Sequence, residues 1–122
     1  MDVRPEVKHE SAIMEARTPQ QFFEEILPLR FKPEKVKGIS VTVQVNITGP
    51  QGGDWAVEIN EQRLTVNKGY CSSPKLIVAV ADDDFLDIVN DKLSAQKAFF
   101  TGKIKFKGDL ALALKLRDAG FL

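Results

Sequence analysis

Cysteine is almost missing from this chain. With Cys71 alone, no internal disulfide can form, which fits a reducing compartment. Histidine is also single, and His9 lies in a polar stretch without a partner for acid–base work. The sequence therefore holds no Ser-His-Asp set, no paired cysteines and no H-E-x-x-H, and no catalytic residue, metal site or cofactor is expected. No charge of one sign dominates: 17 Lys and Arg face 17 Asp and Glu. A nucleic-acid partner is not expected, since such binding draws on surplus Lys and Arg facing phosphates. No apolar run nears the roughly 20 residues that span a bilayer. Met1-Asp2-Val3-Arg4-Pro5-Glu6 has no apolar stretch of the secretory kind, and Ala119-Gly120-Phe121-Leu122 is not the Ser-Lys-Leu peroxisomal address. The cytoplasm is the expected compartment.

What is present suffices for one domain with one modest core: 122 residues, 43% of them apolar. The chain is organised around Ala98 to Leu116. A helix closes on Phe99-Phe100 and stops at Gly102, suited to a C-terminal cap. Lys103-Ile104-Lys105-Phe106-Lys107 then alternates as a strand does. Gly108 turns the chain, Asp109 caps a new helix, and Leu110-Ala111-Leu112-Ala113-Leu114 is apolar nearly all round. Such a helix must be buried or must cover something apolar. The lysine row reads as a solvated edge that discourages strand pairing. The alternative is an edge touching anionic lipid or phosphate.

Upstream, residues 1–17 form a polar arm, frayed or weakly helical. Thr18 N-caps the first firm helix, with Pro19 at its first position and Gln21 completing a capping box. Phe22, Phe23, Ile26 and Leu27 share one face, and Pro28 is expected to end the helix. It packs on the sheet or, in the sharper reading, touches a membrane or partner, although its acidic outer face disfavours an anionic bilayer. Val36 to Ile47 is a strand, residues 49–54 a turn, and Trp55, Val57 and Ile59 mark the next strand. Leu64 and Val66 mark a third, so the three make an antiparallel meander. Glycines in the turn cradle no phosphate, because a strand follows rather than a helix. Residues 67–75 form a loop in which Cys71 has no local partner. Leu76 to Ala81 is continuously apolar, as when both faces are covered. Asp82-Asp83-Asp84 opens a helix, where carboxylates suit capping and the dipole better than a calcium site. Phe85, Leu86 and Val89 share its inner face, and Ser94 caps the short helix before Gly102.

Asp84-Phe85-Leu86, Ala98-Phe99-Phe100, Gly102-Lys103 and Gly108 through Leu116 resemble the sterol carrier protein type 2 domain. The likeness runs over about Val36 to Leu116 and is densest beyond Ala81. It implies an α/β (α+β) fold: a five-stranded, mainly antiparallel sheet covered by helices, formed by a single domain over 18–122. It also implies an apolar tunnel between sheet and helices that takes a sterol, fatty acid, acyl-CoA or phospholipid. The lining positions it carries over are Phe85, Leu86, Val89, Phe99, Phe100, Ile104, Phe106, Leu110 and Leu114. The chain departs from the animal proteins in lacking the peroxisomal tail, in its arm before Thr18 and in ending soon after the last helix. The resemblance thus implies non-catalytic lipid binding or transfer, with transient membrane or enzyme contact. Two alternatives stand beside it: an accessory domain presenting an apolar substrate to an enzyme, and a structural domain whose interior is filled by its own side chains.

Overall fold

The computed structural model describes residues 15–121, so the arm's His9 and most of its length lie outside the described residues. The first helix runs over residues 19–30 (α1). Thr18 caps it as expected, its Oγ1 accepting the Gln21 N–H at 3.0 Å. Gln21 reaches back one residue further than a capping box predicts, to the Arg17 N–H at 2.8 Å. Pro28 does not end the helix. Phe22–Ile26 widens into a π-helical turn, and Leu27–Arg30 continues as α-helix. Pro28 has no N–H, and in a regular helix its ring would press on the carbonyl four residues back. The wider turn just upstream absorbs that conflict.

Five strands follow: β1 (Val41–Thr48), β2 (Gly53–Asn60), β3 (Arg63–Lys68), β4 (Leu76–Ala81) and β5 (Ile104–Gly108). They lie in the order β3-β2-β1-β4-β5. The meander is antiparallel, with Val45 opposite Trp55 and Val57 opposite Val66. β4 runs parallel to β1 and antiparallel to β5. The sheet is thus mostly antiparallel with one parallel pair. The first strand starts later than expected: Val36 sits buried in a 3₁₀ turn, Pro33–Val36, rather than in β1.

The helices α1, α2 (Asp82–Val89), α3 (Ala95–Phe100) and α4 (Leu110–Asp118) complete the element order. The sheet face that meets them carries the core: Val43, Val45, Ile47, Trp55, Val57, Ile59, Leu76, Val78, Val80 and Ile104 are buried. Both faces of β4 are not equally covered, contrary to its continuous apolar run. Leu76, Val78 and Val80 are buried while Ile77, Ala79 and Ala81 are half-buried. On the other face the loop after β3 gives partial cover. Gln44 is buried there, donating to the Gly69 carbonyl at 3.0 Å and accepting the Cys71 N–H at 2.9 Å. An aromatic cluster joins α1 to the sheet, Phe23 stacking on Trp55 at 5.0 Å and on Phe85 at 5.4 Å. The Arg30 guanidinium lies 5.6 Å above the Phe22 ring and donates to the Val89 carbonyl at 2.8 Å. Its burial pulls its pKa below the ordinary value, partly countered by Asp91. No helix of the described residues is long and apolar enough to cross a membrane.

Candidate functional site

The site is built from the helix–strand–helix stretch that the sequence singles out. Ser94 caps α3 by accepting the Lys97 N–H at 3.0 Å. At its other end Gly102 N–H bonds the Phe99 carbonyl and Lys103 N–H the Ala98 carbonyl, at 3.2 and 2.8 Å. With Gly102 at φ +79 this is a Schellman cap, which turns the chain straight into β5. Gly108, at φ +115, lies where a Cβ would collide with the Lys75 carbonyl. Asp109 N–H bonds that same carbonyl at 3.0 Å, and the Asp109 carboxylate caps α4 through the Leu112 N–H at 3.1 Å. These contacts fix α3 and α4 on either side of the edge strand.

α4 divides its leucines. Leu112 and Leu116 are buried, whereas Leu110 and Leu114 are 50% and 57% exposed. The exposed pair falls four residues apart on one face, with Ala113 and Arg117 beside it. That face, Ala95, Gln96 and Phe99 of α3, and Phe106 of β5 enclose an open groove of about 280 Å³. Gln96 and Arg117 are its polar lining side chains. Behind Phe106 and Ala113 lies a second, smaller cavity of about 40 Å³. Its walls include Phe22, Phe85, Val78, Ile104, Leu116 and Phe121, and it is almost wholly apolar. Phe106 and Ala113 line both spaces, so they form the partition between groove and interior.

The nine expected lining residues divide accordingly. Phe99, Phe106, Leu110 and Leu114 meet around the groove, while Phe85 and Ile104 join Phe106 around the inner cavity. Leu86 and Val89 pack in and against the core and line neither space. Phe100 lines neither, and its ring is 75% exposed at the corner between α3 and β5. Ala95, Gln96, Ala113 and Arg117 were not foreseen. The helical spacing of Leu110, Ala113, Leu114 and Arg117 is the signal that could have found the last two. A third concavity, between α1 and β3, is lined by Phe23, Glu24, Pro28, Phe31, Leu64 and Val66.

The chemistry on offer is apolar burial with one cation at the rim. An inner cavity near 40 Å³ has room for about three waters, too little for a whole lipid. The groove sits just below the roughly 300–1,000 Å³ of sites that enclose drug-sized molecules. Among the described residues the groove and the inner cavity are thus two adjoining apolar spaces between sheet and helices, parted by Phe106 and Ala113. Among the described residues no group of three or more His, Cys, Asp or Glu could hold a metal ion. The acidic run is structural: Asp82 is buried and accepts the Gln51 N–H at 2.9 Å, tying the β1–β2 turn to the start of α2.

A sequence model described as the SCP-2 sterol transfer family matches residues 23–119. Peroxisomal multifunctional enzyme A of Dictyostelium discoideum is 38% identical over 85 residues, which make up 68% of this chain and 19% of that protein. Hydroxysteroid dehydrogenase-like protein 2 of Mus musculus is 33% identical over 84 residues, 68% of this chain and 17% of that protein. The chain thus spans about a fifth of the length of the curated relatives it matches. Among solved structures, sterol carrier protein 2 like 2 from Aedes aegypti superimposes with a TM-score of 0.58 at 27% identity. That match covers 92% of this chain and 90% of the other.

Proposed function

The chain belongs to the SCP-2 sterol transfer family, and from that premise we propose that its lipid-binding site is the groove between α3, β5 and α4. The carrying observation is the arrangement of Phe99, Phe106, Leu110 and Leu114 around a solvent-open trough separated from the core cavity by a single layer. An acyl chain suits this trough better than a rigid ring system, because it can lie in the groove and extend inward wherever Phe106 yields. Arg117 at the rim suits a carboxylate or phosphate head, as a guanidinium pairs with either in a forked geometry. The reaction offered to the ligand is none: the site holds and releases it, and the chain itself is not an enzyme. Residues 18–122 are the proposed domain; of the segment before it, Ala16 is buried and paired with Asn90 at 2.7 and 2.8 Å.

The energetics favour reversible loading. Each buried methylene is worth about 0.8 kcal/mol, so a twelve-carbon segment gains roughly 10 kcal/mol gross. Association and ordering remove about 4 kcal/mol or more, leaving at most about 6 kcal/mol, which is binding in the tens of micromolar or weaker.

A second reading draws on the relatives, two of which carry enzyme names and match over only a small part of their length. In it the chain presents its lipid to an enzyme rather than carrying it freely. Both readings share one test at the groove. Delipidated protein is titrated with a fluorescent fatty acid, alone and as Ala113→Trp, which plugs the trough at the partition. The parent is expected to take one ligand per chain and the variant to lose it with its urea midpoint nearly unchanged. A folded parent that binds no fatty acid overturns the proposal.

A further inference from the structure

Charge is balanced over the whole chain but not along it. From Ala95 to Asp118, the span of α3, β5 and α4, there are six Lys or Arg and two Asp, leaving eleven cations against fifteen acids elsewhere. The acids of this span are engaged locally: Asp109 caps α4, and Asp118 lies 3.8 Å from the Arg117 guanidinium. The same span holds four of the six large apolar side chains that are exposed among the described residues, Phe99, Phe100, Leu110 and Leu114. Five of its six cations are lysines.

We propose that this end of the molecule, the β5 edge with the Phe99-Phe100 corner and the exposed leucines of α4, docks on an anionic lipid surface. The proposal rests on the lipid-binding reading of the groove and names the partner from which the groove loads. β5 is the outer strand of the sheet, and among the described residues no strand pairs with its outer edge. Its alternation puts Ile104 and Phe106 on the helix side and Lys105 and Lys107 on the other. With the edge against a bilayer, the aromatic corner enters the headgroup layer from one side. The lysine stems reach the phosphates from the other, snorkelling as amphipathic side chains do. Protein–protein interfaces share the exposed phenylalanines of this surface but are depleted of Lys, and its lysines favour an anionic lipid surface over a protein partner. The corner is also continuous with the site: the Phe100 ring lies 5.8 Å from Phe99, and Phe99 lies 5.6 Å from Phe106 in the groove wall. An acyl chain leaving the bilayer at Phe100 would thus enter the groove along aromatic surface.

The test is co-sedimentation with phosphatidylcholine vesicles, with and without phosphatidylserine, at low and molar salt. The parent is expected to bind only the anionic vesicles and to be released by salt. Lysines near such a surface strengthen binding by about fivefold each, so Lys103→Gln, Lys105→Gln and Lys107→Gln together should weaken it on the order of a hundredfold. Phe100→Ser should weaken it by about tenfold. The control pair Arg63→Gln and Lys68→Gln lies on β3, the opposite edge, four strand spacings or roughly 19 Å away. That exceeds the roughly 10 Å screening length, so the pair should bind as the parent does. Fatty-acid loading in vesicle-free buffer is read on the same samples, where the triple lysine variant should load normally. A parent that loads but ignores anionic vesicles, or lysine variants that bind like the parent, overturns the docking alone. A parent that does not load at all overturns both. Concentration-dependent dimers abolished by Phe100→Ser would show a second copy on this surface and would also overturn it.

Discussion

Phe106→Ala asks whether groove and inner cavity are two parts of one site. Phe106 is half-buried, faces Val78 across the β4–β5 pairing, and walls both spaces. An enclosed Phe→Ala change costs about 3–5 kcal/mol, because transfer energy is lost and a void is left at about 24 cal/mol per Å³. At Phe106 the new space opens into the groove, where water or ligand fills it, so the void contribution falls away. The expected loss is about 1–2 kcal/mol, the transfer energy of the buried half of the ring. Phe85→Ala is the comparison: Phe85 is buried and packed against Phe22 and Phe23, and should lose the full 3–5 kcal/mol.

The same change should alter ligand choice. Removing the ring and joining the cavities gives room for about three more methylenes, worth about 2.4 kcal/mol gross. Part of that goes to ordering the longer chain, leaving about 1.4 kcal/mol, a tenfold gain for longer acids. Urea midpoints of both variants and displacement of a fluorescent fatty acid by alkanoates of increasing length read the two effects. If Phe106→Ala loses as much stability as Phe85→Ala and the chain-length preference does not move, Phe106 is ordinary core and the partition argument fails.

Two further outcomes are expected. Gly108→Ala should lower the unfolding free energy read from urea titration by about 2 kcal/mol or more, since its positive φ and the Lys75 carbonyl both oppose a Cβ; Gly102→Ala, at positive φ but facing open space, should lose only about 1 kcal/mol. The neighbouring Asp54 carboxylate raises the Tyr70 pKa above the ordinary value of 10.0; in an ultraviolet titration Asp54→Asn should therefore bring phenolate formation to lower pH, and an unmoved curve would refute that influence.

The fold was legible wherever local chemistry and periodicity agreed. Gly102 and Asp109 were both readable because a Schellman cap and an N-cap are short-range devices, complete within six residues. The meander followed from alternation alone, although its second turn, Glu61-Gln62, has φ of 52° and 63° without the glycine or asparagine such turns favour. Pro28 misled because the remedy lay elsewhere: a π-helical turn over Phe22–Ile26 is a tertiary accommodation that no residue of that run announces. β4 misled because small apolar residues such as Ala79 and Ala81 tolerate half-exposure as readily as burial. The site was legible as a stretch but not as a surface. Leu110, Leu112, Leu114 and Leu116 are chemically identical, yet the fold buries Leu112 and Leu116 and leaves Leu110 and Leu114 exposed.

That ambiguity follows from what a lipid site requires. A pocket lined by leucine and phenylalanine is costly to hold open in water, at about 25 cal/mol for each square ångström of apolar wall exposed. Phe106 and Ala113 stand between the groove and an inner cavity of about 40 Å³. Some wall must still face solvent, or no ligand could find the entrance, and that remainder is Phe99, Leu110 and Leu114. Residues of the mouth and residues of the core are therefore drawn from one alphabet. They differ in what covers them: neighbouring side chains for the core, and a ligand or a lipid surface for the mouth. A sequence records the alphabet, while the exposed corner at Phe100 becomes visible only once the sheet is seen to end, among the described residues, at β5.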